Sequence, residues 1–420
     1  MFNLSILLIQ IGVILLTSRV IGIIFKKFHQ PQVIGEMVAG IMLGPSLLGW
    51  AAPGIFTALF PSSSLDFVNA LSQIGLVVFM FLVGLELNLE VMRKRAHSAV
   101  VISHTSIIVP FLLGASLAVL LYPRLSIASV PFTSFALFLG VSMSITAFPV
   151  LARILSESGM IRTSIGTVTM AAAAVDDATA WTILAGVVLI VHASATALPL
   201  WAIILGAVAF ALFMLFVGRR WLKRFGNNSS NDQMSQNQLG LILLLVLASA
   251  LVTESLGIHP LFGAFLLGAI MPKSLPFLKD LRTKLEDVVI VLLLPLFFAY
   301  TGLRTRVGLI SGPDTLFFFG LILLVAIGGK FCGAFFASRV SGMSWREAAS
   351  IGVLMNTRGL VELVALNIGL DIGVISPLVF TLLVLMAIIT TLMTTPLLDW
   401  IYPPQLRETQ RINDETLAVS

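Results

Sequence analysis

The stretch SMSITAFPVLARIL (142–155) places Pro149 inside an apolar segment that is otherwise long enough to cross a membrane. Proline has no backbone N–H and disfavours helical structure in the residue before it, so helix is predicted to be interrupted at Phe148. An interrupted helix leaves backbone N–H and C=O groups without partners, and lipid hydrocarbon supplies none. We therefore expect the break to be covered by protein or to line a cavity.

The composition around this stretch is that of a polytopic helical membrane protein. Of the 420 residues, 58% are hydrophobic and 11% are charged, whereas a soluble domain carries about 25% charged residues. Apolar windows of ~20 residues, the length that crosses the hydrocarbon core, recur along the whole chain. The net charge of +5 does not indicate nucleic-acid binding, and a single cysteine, Cys332, excludes an intrachain disulfide.

Charge distribution predicts the orientation of the spans. Nineteen of the 25 Lys and Arg residues lie in the C-terminal tail or in, or within a few residues of, the connections after odd-numbered spans, and three lie on the other face. This positive-inside bias predicts a multi-pass protein of the cell membrane with its N-terminus outside and its C-terminus in the cytoplasm. The thirteen predicted spans are 3–25, 31–51, 65–87, 98–122, 132–155, 161–192, 196–222, 238–257, 259–275, 284–303, 313–338, 344–370 and 376–400.

An internal repeat relates segments that are seven spans apart. The segments FMFLVGLELNL (79–89) and LFFAYTGLRTRV (296–307) end spans 3 and 10 in the same way. Because seven is odd, the two copies must point in opposite directions, an architecture typical of secondary transporters. Spans 2 and 9 share the spacing of Pro31, Gly35, Gly40 and Pro45 with Pro260, Gly263, Gly268 and Pro272.

The repeat also predicts the domain organisation. One transmembrane domain covers 1–402, with repeat one at about 1–192, a bridging helix at about 196–222 and repeat two at about 238–402. A flexible cytoplasmic loop is expected at 226–238, and a short cytoplasmic tail follows at 403–420. By the same offset, span 5 pairs with span 12, where LMNTRGLVELVALNIG (354–369) interrupts the apolar pattern. Two interrupted helices at equivalent positions favour a crossed pair around a binding site.

Charged residues inside the spans are the candidate functional groups. Asp176 and Asp177 lie near the middle of span 6, where burying one carboxylate costs at least ~2.5 kcal/mol. Neighbours on a helix point ~100° apart, so the two side chains face different surroundings. Lys330 is the one lysine predicted at mid-membrane, and we expect it to neutralise one aspartate while the other binds a cation. Gly328, Gly329 and Gly333 around it should permit close helix approach.

Three further charged residues leave alternatives open. Arg358 and Glu362 are four residues apart and can pair on one helix face, either to fix the broken segment or to act on substrate. Glu36 fits a vestibule carboxylate as well as it fits a snorkelling or locally bonded side chain.

The five histidines form no metal-spaced cluster, and no Gly-rich phosphate loop is present. We therefore expect no cofactor and no enzyme activity, and transport that runs on ion gradients.

Seven stretches together resemble the monovalent cation:proton antiporter superfamily, in particular the branch of bacterial sodium or potassium/proton antiporters and plant cation/proton exchangers. They cover nearly the whole chain in the order that the superfamily shows. The stretches are QPQVIGEMVAGIMLGPSLLG (30–49), FMFLVGLELN (79–88), SMSITAFPVLARIL (142–155), AAAAVDDATAW (171–181), LPLFFAYTGL (294–303), GGKFCGAF (328–335) and MNTRGLVELVALNIGLD (355–371).

The resemblance implies an all-α fold of about thirteen helices in two inverted repeats with crossed discontinuous helices. It also implies a homodimer, elevator motion of a core domain, and electrogenic exchange of Na⁺ or K⁺ for H⁺ that serves pH and cation homeostasis. Asp177 would be the carboxylate that holds the transported cation, and Asp176 would pair with Lys330. The polar ligands in the broken stretches would come from Ser144, Thr146 and Thr357. Many relatives carry a nucleotide-sensing cytoplasmic domain, and such gating is not expected here.

Other functions stay open at this point. A sodium-coupled organic-anion symporter can share the inverted-repeat plan, and a K⁺ efflux system would differ in the ion carried. A channel would show currents above carrier rates. An intramembrane aspartyl protease needs two aspartates that face each other from different helices, which adjacent positions preclude.

Overall fold

The computed structural model describes residues 3–86, 96–161, 163–192, 200–227, 234–256, 259–272, 278–403 and 406. Every regular element among these residues is helical, which confirms the all-α prediction. The α-helices are Leu4–Lys27, Gln32–Leu43, Leu48–Ala51, Pro53–Leu59, Ser62–Glu86, Ala96–Leu125, Phe132–Ser144, Phe148–Glu157, Ser164–His192, Leu200–Phe213, Arg219–Asn227, Gln236–Ser255, Pro260–Ile270, Leu278–Val288, Leu294–Arg304, Pro313–Val340, Trp345–Met355, Leu360–Asp371 and Pro377–Ile401. Two π-helical turns, Met214–Gly218 and Val289–Leu293, and a 3₁₀ turn, Val307–Leu309, complete the set.

Ten helices in the described part of the chain are long and apolar enough to cross a membrane. A bent pair, Trp345–Met355 with Leu360–Asp371, makes an eleventh span if its two halves count as one. A total of thirteen spans also requires the helical stretch 200–227 and the short apolar helix Pro260–Ile270. The count of thirteen therefore stays a prediction.

Both predicted interruptions occur. The first broken span consists of Phe132–Ser144 and Phe148–Glu157, separated by extended residues at 145–147. Phe148 begins the second half instead of being excluded from it, so that detail of the prediction is wrong. Pro149 lies in the first turn of this half, where a missing N–H leaves no intrahelical bond unmade. The second broken span is bent by 41° around residues 356–359.

The chain divides into two compact units. Unit 1 contains Met1–Thr17, Ala52–Asn88 and Ala185–Tyr300, and unit 2 contains Ser18–Ala51, Leu89–Leu184 and Thr301–Ser420. Both broken spans belong to unit 2, as do the predicted site aspartates and Lys330. All the geometry that bears on the candidate site is therefore internal to unit 2.

Glycines make equivalent backbone contacts in the two units. In unit 2, a Cβ on Gly302 would lie 2.0 Å from the carbonyl carbon of Gly40. In unit 1, a Cβ on Gly268 would lie 3.0 Å from the Cα of Gly84 and 2.1 Å from the carbonyl oxygen of Phe81. Span 2 thus meets span 10 as span 9 meets span 3, while the inverted orientation of the two repeats stays a prediction.

Helix occupies both ends of the predicted polar loop, at 226–227 and at 236–238. Helix Gln236–Ser255 begins with a capping box, in which Ser235 and Gln238 each bond the other's backbone N–H. These bonds satisfy two N–H groups that a helix start leaves exposed. Residues 228–233 of the loop lie outside the described residues, as does the tail at 403–420 apart from positions 403 and 406.

Candidate functional site

The two breaks are hydrogen-bonded to each other. The backbone N–H of Ala147 donates to the carbonyl of Thr357 at 2.9 Å, and the hydroxyl of Thr146 donates to the carbonyl of Met355 at 3.0 Å. Thr146 and Thr357 are fully buried. The two breaks therefore supply hydrogen-bond partners to each other's unpaired backbone groups. Irregular backbone is tolerated at membrane depth when protein supplies such partners.

A buried ion pair lies beside the place where the two breaks meet, which we call the crossing. Lys330 Nζ lies 3.1 Å from Asp176 Oδ2 and donates to the Thr146 hydroxyl at 2.7 Å. The other carboxylate oxygen of Asp176 accepts from the Ser106 hydroxyl at 3.1 Å. All four side chains are fully buried. Charges taken out of water are stable only when paired and hydrogen-bonded in this way.

Small residues let the helix that carries the lysine approach its neighbour. We name Pro313–Val340 the lysine helix and Ser164–His192 the aspartate helix. A Cβ on Gly329 would meet Pro110, and one on Gly333 would lie 2.8 Å from the carbonyl oxygen of Thr105, both on Ala96–Leu125. Gly328 faces open space, so its predicted role in close packing is wrong.

Asp177 follows Asp176 directly on the aspartate helix and is also buried, with 1% of its surface exposed. The helical rotation of ~100° per residue directs its carboxylate away from that of Asp176. That the two acids face different surroundings stays a prediction from helical geometry. Any cation that Asp177 binds would be a transported substrate and not a resident metal.

The remaining predicted ligands lie at the breaks. Ser144 is the last residue of helix Phe132–Ser144, and its hydroxyl donates to the carbonyl of Gly140 at 2.7 Å. That hydroxyl also lies 3.1 Å from the carbonyl of Ile107. The Thr357 hydroxyl has no hydrogen-bond partner among the described residues.

Arg358, at the second break, makes further hydrogen bonds across the crossing. Its guanidinium donates to the carbonyl of Ser142 at 2.7 Å, to the carbonyl of Met143 at 2.7 Å and to Glu362 Oε2 at 2.5 Å. Its backbone N–H donates to the Thr391 hydroxyl at 2.9 Å. Arg358 thus forms the i,i+4 pair that the sequence predicts and also links the second break to the carbonyl end of helix Phe132–Ser144. A helix carries partial negative charge at that end, which a cation stabilises.

Glu36 is buried on helix Gln32–Leu43 and accepts from the side chain of Gln32 at 3.0 Å. Arg19 and Arg153 are the cations that act on it electrostatically. The local bond that the sequence allows is therefore present, and the vestibule role stays a prediction. The partner of Glu36 in that bond, Gln32, lies one turn earlier on the same helix.

Three contributions to the site were not predicted from sequence. These are the hydrogen bonds of Ser106, of Thr391, and of the Ser142 and Met143 carbonyls. Ser106 and Thr391 are each one of several hydroxyl residues in an apolar helix, where a serine or threonine bonded to its own helix is an ordinary finding. A signal for the carbonyls existed, because a helix that ends in a membrane must have its last C=O groups satisfied.

No resident metal site is evident in the part of the chain that the structure describes. Among those residues, no three His, Cys, Asp or Glu side chains are placed to hold a metal ion.

Comparison with known proteins gives a consistent result. The profile of the family described as "Sodium/hydrogen exchanger, transmembrane" matches residues 13–401. The Na(+)/H(+) antiporter NhaS4 of Synechocystis sp. is 45% identical over 96% of this chain and 98% of its own length. The fold is similar to that of the sodium proton antiporter MjNhaP1 from Methanocaldococcus jannaschii, with a TM-score of 0.67 at 14% identity, covering 94% of this chain and 96% of that one.

Longer eukaryotic relatives match as well. Cation/H(+) antiporter 20 of Arabidopsis thaliana is 39% identical over 98% of this chain and 50% of its own length. K(+)/H(+) antiporter 1 of Saccharomyces cerevisiae is 34% identical over 99% of this chain and 48% of its own length. The chain spans about half the length of these two relatives.

Proposed function

We propose an activity for this chain from the premise that it belongs to the sodium/hydrogen exchanger family, which the family profile over residues 13–401 shows. The proposed activity is the exchange of a monovalent cation, Na⁺ or K⁺, for H⁺ across a membrane. The names of its relatives support both ions, since one is a Na(+)/H(+) antiporter and another a K(+)/H(+) antiporter. They do not favour the sodium-coupled organic-anion symporter.

The exchange is proposed to occur at Asp177. A carboxylate must lose its proton before it can ligate a cation, so one acid can carry either H⁺ or a cation but not both. Competition for a single carboxylate couples the two fluxes, provided that the empty, charged site does not cross readily. The observation that carries the proposal is the buried Asp176–Asp177 pair beside two hydrogen-bonded breaks, with an ammonium group 3.1 Å from Asp176.

The surrounding residues have separate roles in this proposal. Lys330 pairs with Asp176 and leaves Asp177 to exchange ions. Oxygen atoms of Ser144, Thr146 and Thr357 supply polar ligands near the breaks. Arg358 and Glu362 hold the crossing in shape, Pro149 forces the first break, and Glu36 is a structural or gating carboxylate.

Transport requires that the site open to each side of the membrane in turn. We propose alternating access by elevator motion in a homodimer, with the N-terminus outside and the C-terminus in the cytoplasm of the cell membrane. Electrogenic exchange, with more protons than cations per cycle, would draw ~2.3 kcal/mol per net charge from each 100 mV. Native mass spectrometry tests the dimer. A C-terminal green fluorescent protein fusion tests the orientation, because it fluoresces only in the cytoplasm.

The decisive experiment is proton efflux from everted vesicles after addition of Na⁺, Li⁺ or K⁺. Asp177→Asn should abolish cation-dependent efflux, because an amide neither ionises nor binds a proton. The matched control is Asp371→Asn, which removes a half-exposed carboxylate of the same unit that pairs with Arg304. It should retain efflux. Cation-dependent efflux that persists in Asp177→Asn would defeat the assignment, and the wild-type responses to the three cations identify the ion.

A further inference from the structure

The second break contains a buried side-chain oxygen that the protein leaves without a hydrogen bond. Asn356 is the C-cap residue of helix Trp345–Met355 and is 4% exposed. Its Oδ1 has no hydrogen-bond partner within the described residues, and the hydroxyl of the next residue, Thr357, has none either. Buried acceptors without a partner are rare because they lose hydration and gain nothing in return.

A second asparagine on the same broken span shows the ordinary arrangement. Asn367 is 3% exposed, so it is buried to the same degree. Its Oδ1 accepts from Arg304 at 3.0 Å, and its Nδ2 donates to the Thr301 hydroxyl and to the Leu363 carbonyl. The amide oxygen of Asn367 therefore has a protein partner, and that of Asn356 does not.

The position of Asn356 indicates what its oxygen could bind. A hydrogen-bonded series runs from Asp176 through Lys330 and Thr146 to the carbonyl of Met355, the residue immediately before Asn356. Asn356 also stands at the C-terminal end of a helix, where the aligned peptide dipoles favour positive charge.

The chemistry of the two free oxygens matches an alkali cation. A cation that leaves water needs oxygen ligands in place of its hydration shell, and amide and hydroxyl oxygens can serve beside a carboxylate. We infer that Asn356 Oδ1 is a ligand of the transported cation, with the Thr357 hydroxyl as its neighbour in the coordination shell. This inference rests on the proposed function, because it requires that the cation reach the crossing.

The test compares Asn356→Ala with the matched variant Asn367→Ala in reconstituted protein. Solid-supported membrane electrophysiology measures the half-saturating concentrations of Na⁺ and K⁺, and thermal unfolding measures stability in NaCl, KCl and choline chloride. Asn356→Ala should raise the half-saturating concentration about tenfold, which corresponds to ~1.4 kcal/mol, and lose the cation-dependent rise in Tm. Asn367→Ala should lower Tm in every salt and leave the half-saturating concentration within about twofold, since its partners are protein groups.

Two outcomes separate this inference from the proposed function. If the wild-type protein exchanges cations for protons and Asn356→Ala keeps wild-type half-saturation and cation-dependent Tm, the inference is overturned while the exchange stands. If the wild-type protein shows neither cation-dependent proton flux nor a cation-dependent Tm, both fail. Should Asn356→Ala not fold, Asn356→Leu replaces it, because leucine fills the space without a side-chain oxygen, and it should show the same loss of cation affinity.

Discussion

Arg358 donates from Nη1 to the main-chain carbonyl of Ser142 across 2.7 Å, so an arginine from one broken span caps the half-helix of the other. The same guanidinium reaches the Met143 carbonyl and Glu362. A planar fork with several donors can hold three acceptors at once, and an ammonium on a flexible stem cannot reproduce that geometry.

We expect Arg358→Lys to lower the free energy of unfolding by about 1–3 kcal/mol, because charge is kept while one or two charge-assisted hydrogen bonds are lost. Thermal unfolding of the detergent-solubilised protein measures the change. Arg153→Lys is the matched control, since Arg153 and Glu157 form an i,i+4 pair of the same kind on the surface. Exposed pairs contribute ~0–1 kcal/mol, so equal effects of the two substitutions would contradict the capping role.

Lys330 and Asp176 should behave as one unit in a double-mutant cycle. Either Lys330→Met or Asp176→Asn leaves a buried charge without compensation, which costs about 3–5 kcal/mol. The double variant removes both charges and should be more stable than the sum of the single effects predicts. Chemical or thermal unfolding of the four proteins gives the coupling free energy. Additive single effects would show that the 3.1 Å contact contributes no coupling.

The glycine contacts predict a steep response to one added methyl group. Gly302→Ala and Gly268→Ala each place a Cβ within about 2 Å of backbone, and overpacking of this kind costs ~1–3 kcal/mol or more. Gly328→Ala is the control, because its Cβ would meet nothing within 4 Å and alanine is the better helix former. Yield and Tm of the three variants after extraction measure the effect. A Gly302→Ala variant as stable as Gly328→Ala would contradict the observed contact.

Proton and cation should compete. Because only the ionised carboxylate ligates a cation, acidification should raise the half-saturating cation concentration, approaching about tenfold per pH unit on the acid side of the titration. The maximal rate at saturating cation should stay constant over that range. Cation titrations at several symmetrical pH values measure both parameters, with Glu157→Gln as a control for a surface acid. A maximal rate that falls at constant half-saturation would instead indicate a separate regulatory proton site.

The sequence was informative where the signal is local. The apolar windows, Pro149 and the polar stretch at 354–369 predict the helices and both interruptions, because chain geometry and hydrocarbon act on each segment by itself. The acid pair at 176–177 was equally evident, since ionisable groups are rare in apolar helices.

Long-range contacts were beyond such reasoning. Ser106 is 70 positions from Asp176, and the Ser142 carbonyl is 216 positions from Arg358. Which hydroxyl or carbonyl meets a buried charge depends on how the helices pack and rotate, and no period in the sequence encodes that. Gly328 illustrates the same limit, because one step around the helix separates a packed glycine from one that faces open space.

The paired backbone contacts of Gly302 with Gly40 and of Gly268 with Gly84 have an evolutionary consequence. Each contact joins a segment from the first half of the chain to a segment from the second. If the predicted inverted repeat holds, a polypeptide of half this length that inserts in both orientations would make the same glycine contact with a second copy of itself. Gene duplication and fusion of such a dual-orientation ancestor would then have needed no new surface to hold the halves together.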